Sequence, residues 1–212
     1  MSWIDITVEL SENVEEWPGD TPFSFETPVT KEMSGSVNIG KITTSTHIGT
    51  HVDAPFHFDN DGATIETLDV NRYIGDATVI EVVGKDEINK SDLEAHSING
   101  TILLIKTQAA PDKSVFPSEV PTLTLDAVSY LADKGIKLFG IDVPSVDLVN
   151  SKTLNIHHAL HAQDIMIIEN IVLDAVIPGV YDFIALPLKI KGADGSPVRA
   201  VIRKKEEDHE SR

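Results

Sequence analysis

The chain has 212 residues, a formal net charge of −17 and no cysteine. This length fits a single domain with a full hydrophobic core, and the lack of cysteine excludes disulfides and thiolate metal ligands. The excess of acidic residues argues against nucleic acid as a partner.

Strand-like runs, rich in β-branched and aromatic residues, recur along the whole chain. The predicted strands are Trp3–Val8, Asn38–Thr46, Ala77–Val83, Thr101–Thr107, Lys137–Asp142, Ile165–Ile168, Tyr181–Lys189 and Pro197–Arg203. The predicted helices are one that begins at the capping-box pattern Ser91–Glu94, one over Thr124–Lys134 that ends at Gly135, and one after Ser151. Because strands outnumber helices, we expect an α/β fold with a mixed β-sheet or barrel-like β core and a few covering helices.

The chain shows no linker, repeat or low-complexity tract that would divide it. We therefore predict one domain over residues 1–205, followed by an acidic, solvated tail over residues 206–212. No apolar run approaches the ~20 residues needed to cross a bilayer, and Met1–Ile6 lacks the blocks of a signal peptide. We expect a cytoplasmic protein without a membrane partner.

The segment His47–His57 carries three histidines and one aspartate in eleven residues. Imidazole and carboxylate are ligands for Zn²⁺, Mn²⁺ or Fe²⁺. In a strand, His47, Gly49, His51 and Asp53 would share one face, and Gly49 would leave room for an ion between the histidines. The alternative is a group of hydrogen-bonded core histidines, but burying this much polarity without a partner costs several kcal/mol. The segment predicts a metal site.

A second group of candidate ligands follows the third predicted helix start. It contains His157, His158 and His161, and then Glu169 at the end of an almost wholly apolar run. A carboxylate buried there must be paired, coordinated or protonated. The alternative is that the strand simply reaches solvent at Glu169.

These segments together resemble the metal-dependent cyclase-type hydrolases, and within them the bacterial-type kynurenine formamidases (arylformamidases). His47–His57 matches the histidine-rich signature of the family. The other matching segments are Trp17–Phe23, Gly140–Asp147, Ser151–Thr153 with His157–His158, Ile184–Lys189 and Ser196–Ala200. The resemblance covers nearly the whole chain and implies the swivelling β/β/α type of α/β fold and a homodimer.

The resemblance also implies a site for two divalent ions, with Zn²⁺ as the leading candidate and Mn²⁺ or Fe²⁺ as alternatives. His47, His51 and Asp53 would hold the first ion. Asp53 would bridge to the second ion, which His157 also binds, and Glu169 would bridge both. The choice of His157 over His158 rests on its spacing from Glu169. His158 and His161 remain candidates for residues that support the ligands or line the pocket.

The implied reaction is hydrolysis of N-formyl-L-kynurenine to L-kynurenine and formate in tryptophan degradation, by a metal-activated water. His57 would be the acid/base residue, since its position beyond Pro55 takes it off the ligand strand; its alternative role is a further metal ligand. Trp17 would contact the substrate ring, or would only hold the N-terminal loop against the core. The competing functions are hydrolysis of isatin or another aryl or cyclic amide, and metal-dependent ligand binding without catalysis.

Overall fold

The computed structural model describes residues 2–205, and within that range the chain forms thirteen strands and four α-helices. The strands are β1 Ile4–Asp5, β2 Ser24–Val29, β3 Ile39–Thr43, β4 His51–Asp53, β5 Ile74–Glu81, β6 Glu87–Ile88, β7 Ile102–Lys106, β8 Thr122–Leu123, β9 Leu138–Ile141, β10 Met166–Glu169, β11 Gly179–Ile184, β12 Gly195–Pro197 and β13 Val201–Lys204. The helices are α1 Lys31–Ser34, α2 Lys90–Glu94, α3 Leu125–Asp133 and α4 Asn155–Ala162, with 3₁₀ turns at Pro55–His57, Ile65–Thr67 and Val70–Tyr73. None of these helices has the length and apolar character that crossing a membrane requires. The predicted tail over residues 206–212 lies outside the described part of the chain.

Nine of these strands form one mixed sheet, in the order β1-β13-β11-β5-β7-β9-β10-β4-β12. The central strands β5, β7, β9 and β10 run parallel to one another, and the strands on either side pair antiparallel. Every residue of β7 is buried. Such a strand is covered on both faces, which is the usual place for a continuous apolar run in a parallel sheet.

Alternate residues of the central strands enter two different apolar cores. Leu103 and Phe139 belong to the core that α3 and α4 cover. Leu104 belongs to the opposite core, together with Val52 of β4 and Ile202 of β13. Because β4 and β13 lie towards opposite ends of the sheet order, their meeting in one cluster requires the sheet to curl around that core. The prediction of an α/β fold with a mixed, barrel-like sheet and few helices is confirmed.

Several predicted element boundaries need correction. The predicted strand Tyr181–Lys189 is observed over Gly179–Ile184, and Pro197–Arg203 divides into the end of β12 and most of β13. The capping box of α2 is formed by Asn89 and Asp92 rather than starting at Ser91. Strands β2, β6 and β8 were not predicted.

Strands β2 and β3 form a separate hairpin, residues 24–43, which we call the arm. The arm carries α1 at its tip and exposes apolar side chains on the surface, among them Phe25, Met33 and Ile42, which are 57%, 74% and 62% exposed. Large apolar side chains left in water over a contiguous surface are typical of an interaction site.

Candidate metal centre and active site

Two antiparallel strands place the first two candidate ligands opposite each other. β4 pairs with β10 so that His51 faces Glu169 in register. The Nε2 atom of His51 lies 3.3 Å from Oε2 of Glu169, and both residues are at most 3% exposed. Glu169 therefore does not reach solvent at the strand end, and its charge needs a partner.

Asp53 lies two residues after His51 on β4, so its side chain points to the same face. Its two oxygens face different histidines. Oδ1 lies 3.0 Å from Nδ1 of His47 and 3.6 Å from Nε2 of His51, while Oδ2 lies 3.5 Å from Nε2 of His157. The two oxygens of Glu169 also face different histidines: Oε2 faces His51, and Oε1 lies 3.6 Å from Nε2 of His157.

Helix α4 brings His157 to the carboxylates and keeps His158 away. His157 is 3% exposed, whereas His158 is exposed and His161 is half-buried. Nδ1 of His157 donates to Oδ2 of Asp147 at 2.7 Å, which leaves Nε2 facing the site. The geometry thus places His157, rather than its neighbour, among the candidate ligands.

His47 is not on the ligand strand, contrary to the prediction. Residues 46–50 form a turn, in which Gly49 has the left-handed φ of 58° and packs against Leu10. Gly49 therefore provides no gap for an ion. The turn is held by Thr50, whose hydroxyl donates to the carbonyl of Asn170. His47 still reaches Asp53, but from the turn rather than from the alternation of a strand.

His57 leaves β4 as predicted, on the 3₁₀ turn Pro55–His57. Its ring lies against that of His47, with centroids 3.8 Å apart and the ring planes tilted by 35°. The Nδ1 atom of His57 lies 3.7 Å from Oδ2 of Asp194, which also lies 3.1 Å from Nε2 of His47. Burial lowers the pKa of His57, an effect that the Asp53 carboxylate only partly offsets. The neutral, basic form of this imidazole is thereby favoured at neutral pH.

The electrostatics of the other residues favour cations in the cluster. Burial alone lowers the pKa values of His47 and His157, but the surrounding carboxylates outweigh burial and raise both pKa values to about 10. The same histidines hold the pKa of Asp53 well below its usual range, although burial acts in the opposite direction. The Asp53 carboxylate is thus ionised and attracts positive charge, which in the metal-free chain comes from the protonated imidazoles.

The donor atoms fit divalent metal ions. Three groups of three side chains bring one donor atom each within 4.8 Å of one another. Two of them share Asp53, namely His47, His51 and Asp53, and then Asp53, His157 and Glu169; the third, at the cavity side, is His47, His57 and Asp194. Asp53 Oδ2 is buried and has no hydrogen-bond partner among residues 2–205. A buried, unpartnered carboxylate oxygen shared by two such groups fits a cation, and the nitrogen and oxygen donor set suits Zn²⁺, Mn²⁺ or Fe²⁺.

A cavity of about 420 Å³ opens beside this cluster. Its walls include His57, Trp17 and Lys152, together with His51 and Glu169 at the metal-ligand side. The Trp17 ring meets the ring of Phe116 edge-on, with centroids 5.1 Å apart, so its orientation is fixed by packing. Trp17 therefore both holds the N-terminal loop and lines the cavity, and its two predicted roles are compatible.

Two residues near the ligands were missed by sequence reasoning. Asp147 orients His157, and Asp194 faces both His47 and His57. Asp147 lies within a segment that matched the family, so a search for a partner of each candidate histidine could have found it. Asp194 follows the last helix by more than thirty residues, and no local pattern marks it. Asp142, in contrast, accepts the backbone N–H groups of Thr107 and Gln108 and so holds the start of the loop that follows β7.

Known proteins resemble the chain in sequence and in structure. Residues 4–148 match the family model Cyclase, described as "Putative cyclase". A kynurenine formamidase from Bacillus cereus is 52% identical over 202 residues, which are 95% of this chain and 97% of the relative. A second, from Bacillus mycoides, is 50% identical over the same shares.

Solved structures share the fold over nearly the full length. A protein described as a potential metal-dependent hydrolase with cyclase activity is 28% identical and has a TM-score of 0.82 over 97% of this chain and 99% of its own. Isatin hydrolase A from Labrenzia aggregata has a TM-score of 0.83 over 97% and 94%, but at 21% identity that likeness shows the fold alone. The chain belongs to the cyclase family of metal-dependent hydrolases and, within it, to the group of bacterial kynurenine formamidases.

Proposed function

We propose that the protein is an arylformamidase that hydrolyses N-formyl-L-kynurenine to L-kynurenine and formate in tryptophan degradation. The observation that carries this proposal is the 52% identity to a kynurenine formamidase across 95% of the chain. The cavity supports it, because one wall holds nitrogen and oxygen donors and another holds an aromatic ring.

We propose that the cluster binds two divalent ions, most favourably Zn²⁺. His47, His51 and Asp53 would hold one ion, and Asp53, His157 and Glu169 the other, with the two carboxylates shared. The division of the oxygens of Asp53 and Glu169 between different histidines supports this assignment. When bound, such ions lower the pKa of water to near 7 and offset negative charge that develops on the substrate oxygen.

His57 is the acid/base residue of this proposal. As water attacks the formyl carbon, the neutral imidazole accepts the proton that the water loses. As the C–N bond breaks, the same imidazole returns the proton to the departing nitrogen, so that the arylamine and formate leave. The lowered pKa of His57 keeps it ready to accept the proton at neutral pH.

Trp17 would contact the aryl ring of the substrate. Its ring lines the cavity and is held by Phe116, so it presents a fixed apolar surface. A rigid aromatic wall orients a flat substrate at little entropic cost.

The first experiment follows N-formyl-L-kynurenine turnover by absorbance. One sample is purified protein, a second is stripped with a chelator, and further samples are re-supplied with Zn²⁺ or Mn²⁺. We expect rapid kynurenine release that the chelator abolishes and metal restores. No release from metal-loaded protein would overturn the formamidase assignment, and a substrate panel with isatin would then identify the amide that is cleaved.

A second experiment separates catalysis from metal binding. We expect His57→Ala to lower kcat by roughly 10²- to 10⁴-fold while the metal content stays that of the wild type. His158→Ala is the matched control, since this exposed histidine lies on α4 outside the cluster, and it is expected to keep both activity and metal. Full activity in His57→Ala would refute the acid/base assignment, and so would loss of metal.

We also propose that the enzyme is a cytoplasmic homodimer in which the arm contacts a second copy of the chain. The exposed apolar side chains of Phe25 and Ile42 support this proposal. The double change Phe25→Glu and Ile42→Glu is expected to give a monomer by analytical ultracentrifugation. A sedimentation coefficient unchanged from a dimeric wild type would show that the arm is not the interface.

A further inference from the structure

The cavity beside the ligand cluster must also recognise the part of the substrate that does not react. This inference rests on the proposed function. N-formyl-L-kynurenine carries its formamide on one ring carbon and, on the adjacent ring carbon, a ketone side chain that ends in an α-amino acid. At neutral pH the amino-acid end holds a carboxylate and an ammonium group, which need different partners. The protein itself is strongly acidic, with 34 acidic and 17 basic residues, so side chains that can pair with a carboxylate are the less common charged groups.

Lys152 is the only lysine or arginine among the described residues that line the cavity. It belongs to the segment Ser151–Thr153, which matched the family but has no role in metal binding or proton transfer. The described residues place no carboxylate within 4.0 Å of its ammonium group, whereas Lys41, Lys85 and Lys137 all have such partners. Among residues 2–205 this positive charge therefore has no ion-pair partner.

The backbone around Lys152 is fixed in place. The N–H of Ser151 donates to the carbonyl of Leu148 at 2.8 Å, and the Ser151 hydroxyl accepts the N–H of Leu154 at 3.1 Å. Leu154 has the left-handed φ of 45° and immediately precedes α4. Because α4 begins directly after this turn and carries His157, the turn sets where the backbone of Lys152 lies relative to the ligand cluster.

We propose that Lys152 binds the α-carboxylate of the substrate and so makes the enzyme selective for formanilides that carry an amino acid. The cavity then has three sides with different tasks: the ligand cluster with His57 for the formamide, Trp17 for the ring, and Lys152 for the carboxylate. The contact lies away from the reacting bond and is the same in the bound substrate and in the transition state. Such uniform binding changes KM rather than kcat.

The test compares two substrates and two variants. N-formyl-L-kynurenine has the carboxylate, and 2-formamidoacetophenone keeps the formanilide and ketone but lacks the amino acid. For Lys152→Met we expect KM for N-formyl-L-kynurenine to rise by about tenfold, as for the loss of one charged hydrogen bond, with kcat unchanged. Both constants for 2-formamidoacetophenone should stay those of the wild type.

The controls separate a specific contact from a general charge effect. Lys134→Met makes the same change in net charge at the end of α3, away from the residues that line the cavity, and should leave both substrates unaffected. Lys152→Arg should restore most of the affinity for N-formyl-L-kynurenine. Equal changes for the two substrates in Lys152→Met, or none for either, would overturn the proposal.

A binding measurement distinguishes failure of this inference from failure of the proposed function. Titration calorimetry with the product L-kynurenine should show about tenfold weaker binding to Lys152→Met, and 2-aminoacetophenone should bind both proteins equally. No turnover of either formanilide by metal-loaded wild type would overturn the arylformamidase assignment. An equal Kd of L-kynurenine for wild type and variant would instead overturn the role of Lys152.

Discussion

The carboxylate of Asp147 accepts a hydrogen bond from Nδ1 of His157 at 2.7 Å and also accepts the backbone N–H groups of Ile156 and His157 at 3.0 Å. One side chain therefore satisfies free N–H groups at the start of α4 and sets the direction of the imidazole on that helix. Asp147 thus stabilises the start of α4 and orients a candidate ligand on that helix at the same time.

Replacing Asp147 should weaken metal binding more than it weakens the fold. For Asp147→Ala we expect metal affinity to fall by roughly 10- to 100-fold, and stability to fall by about 1 kcal/mol through loss of the helix-start contacts. Competition with a chelator measures the affinity, and thermal unfolding measures the stability.

Asp126→Ala is the matched control for this change. Asp126 lies in the first turn of α3 and bonds the Thr124 hydroxyl, away from the metal-ligand cluster. This change removes a contact at a helix start, as Asp147→Ala does, and should leave metal affinity unchanged. Equal metal affinities for Asp147→Ala and Asp126→Ala would contradict an orienting role for Asp147.

Metal binding should release protons. In the chain alone His47 and His157 have pKa values raised to about 10, so both are protonated at pH 8, whereas an imidazole must be neutral to bind a metal ion. We expect release of about two protons per chain and an affinity that increases with pH towards 10. Calorimetry in buffers of different ionisation enthalpy measures the release, and a heat that does not depend on the buffer would refute it.

The same pKa values set the pH dependence of stability for chelator-treated protein. A group whose pKa is higher in the folded state stabilises the fold below its unfolded pKa, and this contribution is lost as pH rises through the folded value. For His47 and His157 these limits are 6.5 and about 10. The Tm of the metal-free protein should therefore fall between pH 6.5 and pH 10. His157→Gln should flatten this decline, and a Tm that rises over the interval would contradict the assigned shifts.

A change at Gly195 should disturb the metal site through His47. A Cβ atom at Gly195 would lie 2.8 Å from Cε1 of His47, so Gly195→Ala must displace the imidazole. We expect weaker metal binding with a small loss of stability. Gly140→Ala is the counterpart, since its Cβ would meet Leu104 and Ile168 in the core at 2.5 and 2.8 Å. That variant should lose about 1–3 kcal/mol of stability and keep its metal affinity when folded.

The sequence predicted the sheet well where burial alone determines the pattern. The run at Thr101–Thr107 is apolar and β-branched, and the observed β7 lies within it, because a strand covered on both faces needs no alternation. The arm strand β2 was missed because it is exposed along its length and mixes polar and apolar residues. No pattern of burial marks such a strand.

The candidate ligands were predicted more accurately than the backbone that carries them. Alternation suggested one strand through His47 and Asp53, yet the strand starts only at His51. The preceding turn depends on the hydrogen bond from Thr50 to Asn170. This contact joins distant parts of the chain, so local sequence propensity cannot predict it. Asp194 was missed for the same reason, because only the folded sheet brings β12 and the residue before it beside β4.

The candidate metal ligands on β4 and β10 tolerate little change in the backbone, whereas the turns that line the cavity tolerate more. His51 and Glu169 are fixed by the pairing of β4 with β10, and Asp53 by the pairing of β4 with β12. A slip by one residue would turn their side chains to the other face. Trp17 and Lys152 lie on turns outside the sheet. Evolution or design can therefore replace these two turns and obtain a hydrolase for a different amide, while the metal-ligand cluster is inherited intact.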